Sequence, residues 1–212
     1  MTQKQGKCSV TGPEVTSFHD LYDERLICSC ILNHIGSDTK TVLSLGCGDL
    51  SVERNLAETL PDIELMCVDR LTSFHDSLPD NIRFIQGDVN DEGIPAYKQK
   101  YDFVYSFSLL QYLKADNIKE LNSILIGLLN DNGKIIHFDI PDKRKKLLYR
   151  MNTAVDMRVP LFRALSGQYD FIDSESRWHD IEKLSAVPNA SVYIHASSIH
   201  FERCDMIIQR NE

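Results

Sequence analysis

The sequence predicts an α/β fold: a mostly parallel, seven-stranded sheet layered between helices and closed by an antiparallel hairpin strand near the C-terminus. Three observations predict it. Short apolar runs alternate with amphipathic helical stretches from residue 41 to residue 140, the rhythm of crossover units. The first run, Thr41–Leu45, is apolar almost throughout, as a strand buried on both faces requires, and stops at Gly46-Cys47-Gly48. Two late β runs, Ser191–Ala196 and Phe201–Gln209, stand only a few residues apart, which suits a hairpin and not a crossover.

In chain order, residues 1–16 read as a loose tail and Phe18–Ile35 as a helix. Ile27, Cys30, Ile31 and His34 share one face of it, and Asp20, Asp23 and Glu24 lie near its start, where the helix dipole favours acids. Gly36-Ser37 ends that helix. After the strand Thr41–Leu45 and its glycine turn, Val52–Leu60 reads as a helix with Val52, Leu56, Ala57 and Leu60 on one side and Asp49 and Ser51 as caps. Ile63–Val68 is a second strand that runs into Asp69, and the polar stretch Leu71–Asp80, with Pro79, is a loop with a short helix. Ile82–Gln86 and Tyr101–Phe107 are the third and fourth strands. Ile118–Leu129 is a helix by the spacing of Leu121, Ile124, Leu125 and Leu128, and Asp131-Asn132-Gly133 stops it. Lys134–Ile140 is the fifth strand, closed by Pro141.

The rhythm then changes. Lys143–Asn152, Arg158–Ser166 and Trp178–Ala186 read as helical and Gly167–Arg177 as irregular. The economical organisation is one domain over 1–212: a tail and helix (1–40), a cofactor-binding core (41–140), a helical substrate cap (141–190) and a C-terminal β-hairpin (191–212).

The 212 residues suffice for one full core, and 42% hydrophobic with 25% charged content is that of a soluble globular protein. No apolar run approaches the roughly 20 residues of a membrane helix, and the polar first 14 residues do not resemble a signal peptide, so a cytoplasmic protein without a membrane partner is expected. A net charge of −8 argues against nucleic acid as a partner. A monomer or homodimer is expected. The six cysteines show no metal-type spacing and read as reduced packing residues; no metal site is expected.

Strand, glycine turn and helix N-terminus together make a nucleotide-cofactor site. The dinucleotide fingerprint needs a third glycine at position 51, which is Ser51, and the phosphate-loop pattern ending in Gly-Lys-Ser/Thr is absent. Asp69 ends the second strand about 20 residues after the turn, where an acid accepts ribose hydroxyls. Asp88 follows the third strand, placed for an adenine amino group, with Val89 beside the ring.

Here the chain resembles the class I S-adenosylmethionine-dependent methyltransferases, a Rossmann-like family. VLSLGCGD (42–49) looks like their first motif, CVDR (67–70) like the acidic end of their second strand and QGDV (86–89) like their third. YDFVYSFSLLQYL (101–113) and NGKIIHFDIP (132–141) resemble their fourth- and fifth-strand segments. Two positions depart from the pattern: Ser44 stands where the family usually has an acid, and Leu50 where a third glycine is frequent. The resemblance implies S-adenosylmethionine as cofactor, held by Gly46, Cys47, Gly48, Asp69, Arg70, Asp88, Val89 and Ser106. It also implies an N-terminal helix folded over the cofactor, with Tyr22 reaching its carboxylate. The cofactor's sulfonium charge and lack of a pyrophosphate suit a site supplied with acids.

Candidates for the acceptor side follow the fourth and fifth strands and populate the cap. Gln111 and Tyr112 are expected near the substrate. Trp178, the chain's only tryptophan, offers a platform for a sugar or ring, and its neighbour His179 titrates near neutrality, as a base for a hydroxyl should. Asp139 at the fifth strand's tip is the second catalytic candidate, and His137, inside the strand, reads as a satisfied core residue. The run Lys143–Lys146 reads as a solvated helix start. The expected activity is O-methylation of a small molecule or sugar unit, oxygen being favoured because no Asn-Pro-Pro-Tyr-type segment follows the fourth strand. An NAD(P)-dependent oxidoreductase and a non-catalytic cofactor-binding or regulatory module remain as alternatives.

Overall fold

Seven strands form one sheet in the computed structural model, which describes residues 24–71, 77–156, 178–197, 199 and 203–211. The elements are α1 (Glu24–Leu32), β1 (Thr41–Leu45), α2 (Ser51–Thr59), β2 (Glu64–Asp69), β3 (Ile82–Gln86), β4 (Tyr101–Phe107), α3 (Ala115–Gly127), β5 (Leu129–Pro141), α4 (Lys146–Asp156), α5 (Ile181–Leu184), β6 (Ala190–Ala196) and β7 (Arg203–Arg210). Strand order is β3-β2-β1-β4-β5-β7-β6. The first five strands are mutually parallel, and β7 runs antiparallel to both neighbours, β5 and β6.

Alternating side chains of each strand feed two cores. On one face Val42, Phe103, Tyr105 and Ile136 pack under Ile27 and Ile31 of α1 and Leu56 and Ala57 of α2. On the other, Leu43, Leu45, Val104 and Ile135 meet Ile118, Leu121 and Leu125 of α3 with Ile181 and Leu184 of α5. Asp102 ties the lower edge of the sheet together, accepting from the Lys40 and Thr41 amides (2.8 and 2.9 Å), the Thr41 hydroxyl and Asn130 Nδ2. Burial alone would raise its pKa; these donors outweigh that and hold it below the usual carboxylate range.

The chain reversal after β1 positions the site. Gly46 and Gly48 have φ of 72° and 57°, and Leu50, just before α2, also has a positive φ of 68°. A non-glycine residue in that region costs on the order of 1–2 kcal/mol. Leu50 is wholly buried in the core under α2, so packing holds it there. The backbone at 50 thus keeps a conformation suited to glycine although the side chain is leucine. Neither expected cap holds the N-cap position: that residue is Leu50, with no side-chain cap bond, while Asp49 accepts the Ser51 amide at 3.0 Å in a local turn and Ser51 is the first residue of the helix.

The first helix ends at Leu32 and not at Ile35, the helix expected over Lys143–Asn152 runs Lys146–Asp156 after a 3-10 turn at Lys143–Lys145, and two further boundaries differ from expectation. α3 ends at Gly127, and β5 begins at Leu129 and contains Asp131-Asn132-Gly133. Asn132 takes a positive φ of 63°, and a register shift opposite Tyr101–Phe103 absorbs the turn residues as an irregularity in the ladder. In the segment expected to be helical from Trp178, only Ile181–Leu184 is α-helix. His179 instead lies extended beside the end of β5, its amide bonded to the Pro141 carbonyl and its carbonyl to the Lys143 amide, both at 2.9 Å. The helix Arg158–Ser166, the irregular stretch Gly167–Arg177 and the start of the first helix lie outside the described residues. No helix among the described residues is long and apolar enough to cross a membrane.

His137 is fully buried in β5 and spans two partners, Ser106 Oγ at Nδ1 and Asn122 Oδ1 at Nε2, each at 2.8 Å. Burial lowers its pKa from 6.5 to about 3. The unfolded chain therefore binds more protons than the native one between these values. Stability from this histidine is complete above pH 6.5 and is lost as pH falls towards about 3. Its share of the slope is up to about 1.4 kcal/mol per pH unit. His137→Gln should be less stable than wild type near neutrality yet show a shallower loss on acidification, as urea titrations at several pH values will read.

A Cβ on Gly46 would sit 2.9 Å from Leu109 Cδ1, whereas one on Gly48 would meet nothing within 4 Å. Both substitutions carry the positive-φ cost. Gly46→Ala should therefore destabilise the protein by more than Gly48→Ala, by about 1 kcal/mol or more, measured as the difference in denaturation midpoints.

Candidate functional site

A cavity of about 870 Å³ opens at the C-terminal ends of β1, β2 and β4. Its floor is the turn Gly46-Cys47-Gly48, one wall is Asp69, Arg70, Asp88 and Val89, and the opposite wall is Phe107, Ser108, Leu109 and Tyr112. Ile27 of α1 also borders it. Parallel strands bring their C-terminal ends to one edge, so the loops after β1, β2, β3 and β4 converge there without any one of them being long.

The turn's amides are committed. Those of Gly46 and Cys47 point at the Val68 carbonyl (2.8 and 3.4 Å), and that of Gly48 donates to Asp69 Oδ2 at 2.9 Å. Asp69 Oδ1 accepts the Leu71 amide at 2.8 Å, which fixes the carboxylate's plane at the rim. Asp88 Oδ1 accepts both the amide and the side-chain nitrogen of Asn90 at 2.9 Å. Val89 is buried, and its carbonyl takes the Tyr97 hydroxyl at 2.6 Å. Gly46, Cys47, Gly48, Asp69, Arg70, Asp88 and Val89 thus all line one cavity.

Ser106 does not line it. The residue is fully buried, and its hydroxyl faces His137. Tyr22 lies outside the described residues. Cys47 packs against Cys67, and that contact together with burial pushes its thiol well above the ordinary range, which makes it an unreactive wall of the turn.

A residue that sequence reasoning passed over lies between β1, β4 and α2. Glu53 is only 3% exposed and borders the cavity. Its Oε1 accepts the Ser44 hydroxyl at 2.7 Å and the Tyr105 hydroxyl at 2.8 Å. Oε2 has no hydrogen-bond partner among the described residues. Burial pushes the Glu53 carboxyl above its ordinary range, the two hydroxyls and its own backbone amide acting the other way. Burial and the neighbouring carboxylate push the Tyr105 phenol up as well. The sequence held a signal: Glu53 precedes Leu56, Ala57 and Leu60 by three, four and seven positions, so an acid sits on the apolar face of α2.

The acceptor-side candidates are scattered. Tyr112 lines the cavity and is 39% exposed. Gln111 is buried and accepts from Arg203 Nη1 at 3.2 Å, off the cavity. Asp139, fully buried with φ of 62°, pairs with Arg203 at 2.9 Å, and the Ser108 hydroxyl donates to its Oδ2. Ser108 lines the cavity, so Asp139 meets that space through one hydroxyl. His179 is buried with Nε2 2.8 Å from the Leu110 carbonyl; a carbonyl only accepts, so this nitrogen carries a proton. It tethers the segment after β5 to the loop after β4 and is not part of the cavity wall. Trp178 is also off the wall, its ring 5.3 Å from that of Tyr149 with Lys146 Nζ 5.8 Å over it. No group of His, Cys, Asp and Glu among the described residues could hold a metal.

No family profile and no curated protein sequence matches the chain. Solved structures do. An O-methyltransferase family protein from Burkholderia thailandensis superposes with a TM-score of 0.60 at 13% identity, over 89% of this chain and 56% of that one. Magnesium protoporphyrin IX methyltransferase from Synechocystis, with bound SAH, gives 0.59 at 15% identity, over 89% and 82%. Human N-acetylserotonin methyltransferase, in complex with SAM, gives 0.57 at 14% identity, over 87% and 52%. The chain thus spans a little over half the length of the first and third of these. Sheet order, the antiparallel β7 and the glycine turn under the cavity agree with these likenesses: the chain has the fold of the class I S-adenosylmethionine-dependent methyltransferases.

Proposed function

We propose that this chain binds S-adenosylmethionine and transfers its methyl group to an oxygen of a small molecule or sugar unit, with residues 141–190 acting as the substrate cap. The observation that carries the cofactor reading is Asp69 clasped by the Gly48 amide. In a dinucleotide site the turn's amides and the helix N-terminus receive a pyrophosphate. Here the Gly46 and Cys47 amides face the Val68 carbonyl and the Gly48 amide is taken by Asp69, which commits the turn's donors within the protein, while the remaining lone pairs of Asp69 suit a ribose diol. Asp88 and Val89 extend the same wall for a nucleoside base. The NAD(P) reading is correspondingly disfavoured.

S-adenosylmethionine supplies a methyl carbon on a positively charged sulfur, open to in-line attack by an acceptor lone pair, with the C–S bonding pair leaving on sulfur. The chain's own contribution is alignment and exclusion of water. Phe107, Leu109 and Leu113 form an apolar wall, and Tyr112 with Lys114 and Asn117 gives that side polar contacts for an acceptor. If the acceptor is a hydroxyl, a route for its proton begins at the cavity wall, through Ser108 Oγ to Asp139, whose charge Arg203 compensates. No proton-transfer role is proposed for His179, whose Nε2 is engaged with Leu110.

Calorimetry should detect binding of S-adenosylmethionine and none of NAD. Asp69→Ala should weaken the former by about tenfold or more, the cost of a lost charge-assisted pair of hydrogen bonds. Binding of NAD in preference would remove the reading. With labelled methyl donor and a panel of phenol, carboxylate and saccharide acceptors, Tyr112→Ala should raise the acceptor KM with cofactor affinity unchanged. Transfer to amines alone would exclude the oxygen assignment, and transfer to no acceptor would favour a binding module.

A further inference from the structure

Glu53 is a buried carboxylate held by one oxygen only. Three elements supply the arrangement: Ser44 from β1, Tyr105 from β4 and Glu53 itself from the first turn of α2. A carboxylate out of water costs several kcal/mol unless paired. Two neutral hydroxyls on Oε1 offset part of that and leave Oε2 with no hydrogen-bond partner among the described residues, beside an 870 Å³ cavity that Glu53 lines. Of the buried side-chain atoms without a hydrogen-bond partner among the described residues, this oxygen belongs to a carboxylate that borders the cavity from the first turn of α2, where a ligand's donor can reach it.

The position along the sheet says which donor. Asp69 ends β2 and Asp88 comes after β3, and Glu53 stands over β1 and β4, on the far side of the glycine turn. Neighbouring strands are about 4.8 Å apart, so these acids mark the two ends of an elongated ligand laid across the strand tips. With a nucleoside at Asp69, the other end falls at Glu53. S-adenosylmethionine carries two cations away from its nucleoside, the sulfonium and the α-ammonium. Only the ammonium has N–H groups to give Oε2. The sulfonium has no N–H to donate and so would leave Oε2 without a hydrogen bond.

The geometry points to Glu53 as the residue that receives the α-ammonium of S-adenosylmethionine at Oε2, with Ser44 and Tyr105 as positioning residues that hold its Oε1. This rests on the cofactor reading above. A charge-assisted hydrogen bond of this kind corresponds to about tenfold or more in affinity.

Three ligands separate the possibilities by calorimetry on the full chain: S-adenosylmethionine, S-adenosylhomocysteine, which keeps the ammonium but is neutral at sulfur, and methylthioadenosine, which has neither charge. Glu53→Gln keeps an oxygen for Ser44 and Tyr105. It should weaken the first two ligands equally, by about tenfold or more, and the third by less than about twofold. Equal loss for all three would make Glu53 a support of the turn and overturn the assignment. Loss confined to S-adenosylmethionine would place Glu53 at the sulfonium, and no loss would remove it from the site; both overturn it. Tyr105→Phe, which leaves the carboxylate in place but removes one of the two donors to Oε1, should give the same pattern at smaller amplitude, and decides the question if Glu53→Gln does not fold. If wild type binds none of the three ligands, the cofactor reading itself fails, a result distinct from each of the others.

Discussion

The reversal of the chain after β1 is the constraint on which the site depends. β1 lies between β2 and β4, so its end has no lateral room, and the chain must turn upward at once. Left-handed backbone at Gly46, Gly48 and Leu50 makes that turn, and the Gly46 and Cys47 amides lock it to Val68. From this single reversal α2 starts directly over the sheet edge. That start brings Glu53 down between Ser44 and Tyr105 and sets Gly48 against Asp69. A looser turn would keep every strand yet lose the registry between the two acids.

The charge of the whole chain makes sense at this scale. Within the net charge of −8, three of the acids, Glu53, Asp69 and Asp88, border one cavity together with Arg70 and Lys114. The deepest of the five is Glu53, whose Oε2 has no hydrogen-bond partner among the described residues. Such a field suits a ligand that is cationic at its inner end and uncharged at its nucleoside.

What the sequence revealed follows from the range of the interactions involved. The bounds of β1, β3 and β4 are fixed by local apolar runs and emerge exactly where expected, and the turn with Asp69 and Asp88 is legible because spacing along crossover units is regular. The boundary between α3 and β5 was obscured because Asp131-Asn132-Gly133 has the chemistry of a helix stop but is taken up within the strand ladder. Glu53 was hidden behind its own charge: an acid in a first helical turn is ordinary, and only the partners Ser44 and Tyr105, 9 and 52 positions away, make it part of a site. The placement of His179 depends on a bridge to residues after β5 and on a carbonyl 69 positions distant, which no local pattern encodes.

The Arg203–Asp139 pair has a consequence for the order in which the molecule comes together. Asp139 is fully buried on a left-handed backbone, and its compensating cation comes from β7, which slots between β5 and β6 although it follows both in the chain. Until β7 docks, the carboxylate beside Ser108 has no Arg203 against it, and breaking such a buried pair costs about 3–5 kcal/mol. During synthesis residues 44–89, which border one side of the cavity, emerge well before Arg203, the cation that compensates Asp139. Maturation of the pocket therefore waits on the late insertion of one strand.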